Sequence, residues 1–348
     1  MTREHTTDGL LERLAKGPVI CAEGYLFEFE RRGYLQAGAF VPEVVLHHPE
    51  MVEGLHREFV HAGSDVVQAF TYYAHREKMR IVGQEDLLEP TNRDALAIAR
   101  KVADETGTLA AGDLCNTNAW GPDAASKAAV RAMFEEQVSW IVDAGMDFIV
   151  AETFSWDEEA LLALEVIRAS GLPSVVTLAF HRAPETREGR SPADACALLE
   201  QAGADVVGLN CIRGPKTMLP LVAQVREAVT CPVAALPVPY RTTEAEPSFQ
   251  SLTDPGCDCL PDRPFPTALE PLSCNRYEIA EFAHAAYDLG VRYLGVCCGN
   301  APHLTRSMAE ALGRTPPASR YSPDMTKHAF LGTNELLKAH NQAYATEL

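Results

Sequence analysis

Eight short apolar runs, each followed by a longer amphipathic stretch, constrain this chain more than any other feature. In order they are VICAEG (19–24), DVVQAFT (65–71), TLAAGDL (108–114), DFIVAET (147–153), SVVTLAF (174–180), DVVGLNC (205–211), PVAALPV (232–238) and RYLGVCC (292–298). Several are apolar almost throughout. That suits parallel strands covered on both faces, whereas a half-exposed antiparallel strand alternates. Most are preceded by a glycine-containing turn, as in VDAGMD, RASGLPS, EQAGAD and YDLGVR, where glycine can take the left-handed conformation that closes a helix. Eight such units predict an α/β fold, a (β/α)8 TIM barrel in a single domain. A barrel of this kind usually occupies about 250 residues, and the chain has 348.

Two segments account for the excess. The stretch from Tyr240 to Pro271, dense in Pro, Asp and Ser, follows the seventh strand and reads as a long loop, the kind that often serves as a lid. The tail from about Pro316 holds PPASRYSPD and then a short helix-like segment. The chain is therefore read as a barrel over residues 1–315 and a C-terminal extension over 316–348.

Charge narrows the partners. With 48 acidic and 30 basic residues, a net charge of −18, and no stretch rich in Lys and Arg, nucleic acid and anionic membrane surfaces are excluded as partners. The start, MTREHTTDGLLERLAKG, lacks the apolar core of a signal peptide, and no run approaches the roughly 20 apolar residues of a membrane span. A cytoplasmic protein is expected. Ten cysteines in that setting suggest buried thiols, metal ligation or catalysis more than disulfides.

In such barrels the chemistry sits at the C-terminal ends of the strands. Cys297 and Cys298 end the eighth run and Cys211 ends the sixth, so one strand separates them and three thiolates can meet across the mouth. Three thiolates with a fourth position open describe a catalytic zinc site. From spacing alone, three buried core cysteines are an equal alternative. Cys257 and Cys259, a C-x-C pair in the long loop, are either free thiols or a second metal clip. Cys21, Cys115, Cys196, Cys231 and Cys274 read as small hydrophobes. His47, His48 and His56 are expected on helix or loop surfaces, and no Ser-His-Asp or histidine-rich set falls at the strand ends.

GLNC together with GVCCG resembles the zinc-binding pair of the homocysteine S-methyltransferase family. The stretch RRGYLQAGAFVPEVVLHHPEMVEGLHREFVHAGSDVVQAFTYYAHREKM, with DFIVAETF, PFPTALEP and AAYDLGVRYLGVCCG, resembles its betaine-using branch in particular, from about Val19 to Ala311. The resemblance implies a (β/α)8 barrel in which Cys211, Cys297 and Cys298 hold Zn2+, zinc binds the homocysteine sulfur, and an onium donor, betaine foremost, gives up a methyl group to form methionine. It implies that Glu152 holds the amino group of homocysteine and that Tyr73 stands at the donor pocket, with Phe70 and Phe265 completing an aromatic lining. Cationic donors favour aromatic faces and carboxylates.

The departures are specific. Ala22-Glu23-Gly24 stands where the family has Asp-Gly-Gly, which puts Glu23 and Gly24 at the acceptor site without the usual aspartate. Phe40 replaces a donor-pocket tryptophan and Thr153 a tyrosine, removing an indole and a phenol. Val296 replaces the second glycine before the paired cysteines. The chain also stops short of the C-terminal arm that serves oligomerisation in the betaine enzyme, so a homo-oligomer is left open. These changes keep three alternatives in view: a sulfonium donor such as S-methylmethionine or dimethylsulfoniopropionate, a different thiol acceptor, and a non-catalytic binding barrel.

Overall fold

Each apolar run is a strand in the computed structural model, which describes residues 8–256, 263–345 and 347. The strands are β1 (Val19–Ala22), β2 (Val66–Gln68), β3 (Leu109–Cys115), β4 (Phe148–Phe154), β5 (Ser174–Leu178), β6 (Val206–Asn210), β7 (Val233–Leu236) and β8 (Val291–Val296). They pair in sequence order, and β8 returns to β1 to close the barrel. Every pairing is parallel, with Cys21 opposite Val66 on one side and Gly295 on the other.

The pleat divides the strand residues into two sets. Ile20, Val67, Ala110, Ile149, Val176, Val207, Ala235 and Leu294 meet the surrounding helices. Their neighbours Val19, Cys21, Val66, Ala111, Phe148, Val150, Val175, Ala234, Leu236 and Tyr293 form the barrel's own filling, which Leu10 and Leu14 of the helix Leu10–Lys16 extend. Two strand positions tolerate only glycine. A Cβ on Gly208 would lie 2.0 Å from the Ala234 carbonyl oxygen, and one on Gly295 would lie 2.2 Å from that of Cys21.

Following the inward set upward changes its chemistry. Two or four residues beyond the apolar layer stand Glu23, Gln68, Asp113, Glu152, Thr177, Asn210 and Cys297, all buried. The face that is largely apolar at the lower end is therefore polar at the mouth.

The Tyr240–Pro271 segment has no strand or α-helix among its described residues, only 3-10 turns at Phe249–Ser251 and from Glu270. Its first part packs against the barrel: the Phe249 amide donates to the Ile212 carbonyl oxygen at 2.8 Å, and Phe249 is buried. Cys257 and Cys259 lie outside the described residues. After the helix Pro302–Ala311 the chain continues in 3-10 turns and two short helices, Glu335–His340 and Gln342–Ala345, with Tyr321, Leu331 and Leu336 exposed. No helix among the described residues is long and apolar enough to cross a membrane.

One expectation is corrected here. His47 and His48 are exposed, but His56 is buried, its ring edge-on to Tyr25 at 5.0 Å. It falls on the inner face of the helix Pro49–Ala62 with Val52, Leu55 and Phe59, a helical spacing already present in the sequence.

Candidate metal and substrate site

Cys211 lies one residue beyond β6 and Cys297 one residue beyond β8. The Cys211 amide donates to the Leu236 carbonyl oxygen at 2.9 Å and the Cys297 amide to that of Pro237 at 2.9 Å, so the end of β7 positions both. The turn after the cysteines requires glycine: Gly299 has φ +99°, and a Cβ there would lie 2.4 Å from the Tyr240 hydroxyl. The three thiols converge. Cys211 Sγ is 3.7 Å from Cys298 Sγ, which is 3.9 Å from Cys297 Sγ, and all are buried and free of disulfides.

That spacing fits a metal. Zinc–sulfur bonds of about 2.3 Å in a tetrahedron place the sulfurs about 3.8 Å apart. The electrostatics agree: hydrogen bonds from Cys297 and Cys298 hold the Cys211 thiol well below its ordinary value, while burial raises Cys297 and the neighbouring Cys211 raises Cys298. Three thiolates this close need a cation to ionise together. The donor set is soft and suits zinc.

A carboxylate network adjoins the thiols. Glu152 accepts hydrogen bonds from Gln68 Nε2 at 2.8 Å, Asn210 Nδ2 at 2.7 Å and Thr153 Oγ1 at 3.0 Å. Asn210 is the hub, since its Oδ1 accepts from the Thr153 amide at 2.9 Å and from Thr177 Oγ1 at 2.9 Å. Burial and the charge of Cys211 push Glu152 up to about 7. Glu23 reaches the same place, with a carboxylate oxygen, one from Glu152 and the Cys297 sulfur all within 4.8 Å of one another. Oxygens of Glu23 and Asp113 are buried there without a hydrogen-bond partner.

Position 22 thus lacks an acid, while position 23 supplies one. Gly24 makes this possible: at φ +79° its absent Cβ would sit 2.3 Å from the Cys297 carbonyl oxygen, so β1 turns tightly under the cysteine pair. A void of about 20 Å³ between these groups is lined by Gly24, Gln68, Phe70, Asp113, Glu152, Cys297 and Cys298.

Beyond the thiols opens a cavity of about 330 Å³. Phe40, Tyr73, Thr153 and Phe265 line it. Phe70 does not: its ring stacks on Phe29 at 5.4 Å and faces the smaller void, because β2 ends before it and turns Tyr72 and Tyr73 outward instead. Trp120, Trp156, Phe249 and Tyr72 add further aromatic surface to the lining. Trp120 and Trp156 follow the ends of β3 and β4, the positions where barrel loops converge. Burial pushes the Tyr73 phenol up to about 12, leaving it protonated at neutral pH, and Lys78 Nζ lies 4.8 Å from its ring centroid.

Six non-glycine residues among those described have a positive φ: Phe40, Tyr73, Asn118, Thr153, Cys211 and Ile212. All six line this cavity. Thr153 and Ile212 are β-branched, for which the left-handed region is strongly disfavoured, and strain of this kind concentrates where a backbone serves a site.

Fold and site together define a parallel barrel with three converging thiols at its mouth. A family model described as homocysteine S-methyltransferase matches residues 24–312, and the chain belongs to that family. It is 40% identical over 311 residues to betaine–homocysteine S-methyltransferase 1 of Xenopus laevis, covering 87% of this chain and 75% of the relative. It is 35% identical over 321 residues to the S-methylmethionine–homocysteine S-methyltransferase of Pongo abelii, covering 89% and 84%. The homocysteine methyltransferase MmuM of Escherichia coli, in its metallated form, shares the fold at a TM-score of 0.66 and 17% identity over 84% of this chain and 96% of that one.

Proposed function

We propose that this enzyme transfers a methyl group from an onium donor, betaine foremost, to the sulfur of homocysteine, with Zn2+ held by Cys211, Cys297 and Cys298. The convergence of the three thiols at 3.7 and 3.9 Å carries the reading. Bound there, zinc supplies a dication that lowers the pKa of the acceptor thiol and leaves its sulfur nucleophilic. The sulfur forms a bond to the donor methyl carbon, the carbon–nitrogen bond breaks, and its electron pair stays on nitrogen, yielding methionine and a neutral tertiary amine.

The chain's own residues orient the two partners. Glu152, held by Gln68, Thr153 and Asn210, binds the acceptor's ammonium, and Glu23 takes the part of the absent aspartate from the next position. Their buried charge is matched only when a cation arrives. Aromatic faces of Phe40, Tyr73, Phe265, Trp120 and Trp156 surround the donor's positive centre and keep water from it. Free thiolates persist in a reducing compartment, and we assign the protein to the cytoplasm.

The S-methylmethionine-named relative supports a second reading, a sulfonium donor, which leaves as a neutral sulfide. Purified, zinc-loaded protein mixed with homocysteine and a panel of ammonium and sulfonium donors decides between them by methionine formation. No methionine from any donor overturns the function.

A further inference from the structure

The loop after β5 is tied down along its length. Arg213, just beyond β6, donates to the carbonyl oxygens of Phe180, His181 and Arg182 at 3.0, 2.6 and 3.0 Å. The Arg187 amide donates to the Ser155 carbonyl oxygen at 2.8 Å, and the Thr186 amide to that of Arg190 at 2.9 Å. Glu188 accepts from the amides of Asp157 and Glu158 at 2.9 and 3.4 Å, capping the helix Asp157–Ser170, and Arg190 pairs with the buried Asp157.

These ties engage the loop's backbone and leave the Arg187 side chain without a hydrogen-bond partner at the cavity. Arg187 lines the 330 Å³ space beside His181, and its guanidinium has no carboxylate partner among the described residues. The one acid in the same lining, Glu159, is already engaged by Thr117, through its amide at 2.9 Å and its hydroxyl at 2.6 Å. The cavity therefore has thiols at its inner end, aromatic walls, and in its lining the exposed guanidinium of Arg187, whose backbone is anchored to Ser155. A guanidinium binds a carboxylate through two parallel hydrogen bonds, which gives geometric selectivity as well as attraction.

We propose that Arg187 binds the carboxylate of a zwitterionic methyl donor, and so selects onium carboxylates over onium compounds of the same cationic group without an acid. The proposal rests on the methyl-transfer reading and deepens it by naming the residue that reads the donor's carboxylate. Neither composition nor spacing marked Arg187, because its position depends on how the Arg213, Ser155 and Asp157 anchors fold the loop.

The test compares betaine with choline, which carries the same trimethylammonium group and no carboxylate. Binding of each to zinc-loaded protein with homocysteine present is measured by titration calorimetry using catalytically idle conditions or short times, and methionine formation is followed in parallel. Wild type should prefer betaine at least tenfold. Arg187→Gln should remove most of that preference by weakening betaine while leaving choline within twofold, and Arg187→Lys should restore part of it. Equal binding of the two compounds by wild type, or a preference unchanged in Arg187→Gln, overturns the proposal even if methyl transfer is intact. Arg187-dependent betaine binding without methionine formation upholds the proposal and sinks the reaction instead.

Discussion

The two ends of the barrel are built from the same eight strands, yet they obey different rules. At the lower end Phe148 meets Tyr293 edge-on at 6.4 Å, Leu10 and Leu14 close the bottom, and the filling is apolar apart from the Tyr293 hydroxyl and the Cys21 thiol. At the mouth the same inward face carries Glu23, Gln68, Asp113, Glu152 and Asn210, with two carboxylate oxygens lacking partners and six left-handed non-glycine residues around the cavity. Cysteine shows the contrast within one residue type. Cys21 sits in the filling with its Sγ 3.5 Å from Gln68 Oε1, and burial raises its thiol, whereas Cys211 is drawn well below its ordinary value by two neighbouring thiols. The lower end spends its positions on packing; the mouth accepts strain and unpaired polar groups, which a bound metal and substrates would relieve.

The sharpest way to break this comparison is to remove one cysteine from each end. Cys298→Ala should strip zinc from the protein and lower methyl transfer by on the order of a thousandfold, with the fold intact by circular dichroism. Cys21→Ala should cost about 1–2 kcal/mol of stability and keep full metal occupancy. Elemental analysis of both variants decides, and zinc retained in Cys298→Ala refutes the division.

A second pair separates binding from packing. Glu152→Gln keeps shape and removes charge, so the Michaelis constant for homocysteine should rise by about a hundredfold, in line with loss of a buried charge pair worth roughly 3 kcal/mol, while thermal stability holds or improves. Phe148→Ala should cost about 3–5 kcal/mol of stability with that constant unchanged in the surviving folded protein. Denaturant titration alongside steady-state kinetics reads both.

The lower end was legible in the sequence, and so was the position of the site. Parallel strands covered on both faces are continuous apolar runs, so β1 to β8 stand out, and the strand ends locate Cys211, Cys297 and Cys298. The polar network was not legible. Asn210 stands beside Cys211 in the GLNC motif, but its role as hub depends on barrel closure bringing it to Glu152, Thr153 and Thr177. The resemblance places Glu23 at the acceptor site, but its approach to Glu152 depends on the turn at Gly24. Trp120 and Trp156 sit on loops whose paths no periodicity records. His56 could have been placed, because Val52, Leu55, His56 and Phe59 share one helical face.

Acid should find the upper part of the molecule before the lower. His56, against Tyr25, is lowered to about 3 by burial, and His75, which caps the helix Arg76–Ile81, is lowered to about 4 by burial and Lys78. The unfolded chain protonates histidine near pH 6.5, above both folded values, so stability is full above about 6.5 and falls as pH drops below it. The slope is about 1.4 kcal/mol per pH unit for each histidine, down to about pH 4 for His75 and about 3 for His56. His56→Gln should flatten part of this dependence in denaturant titrations from pH 7 to 4.5. An unaltered slope means that carboxylates elsewhere govern it.

The smallest expected effect concerns the aromatic walls. Lys78 Nζ lies 4.8 Å from the Tyr73 ring centroid, and Lys127 Nζ lies 5.2 Å from that of Trp120. Each ring therefore already serves a cation of the chain itself. If Lys78 occupies the face turned to the cavity, it competes directly with a donor's onium group; if it occupies the other face, it still draws on the same quadrupole and repels the incoming charge. Removing it strengthens the ring's attraction in either geometry. Lys78→Met should lower the Michaelis constant for a cationic donor about two- to fivefold, the equivalent of roughly 0.5–1 kcal/mol for an exposed cation–π contact, and leave that for homocysteine unchanged, because the proposed acceptor site is the carboxylate network and not this wall. Lys78→Arg keeps the cation and should behave as wild type. A shift in the homocysteine constant as large as the donor's would mean that Lys78 acts on the mouth as a whole, and the separation of donor walls from acceptor network within the mouth would fail.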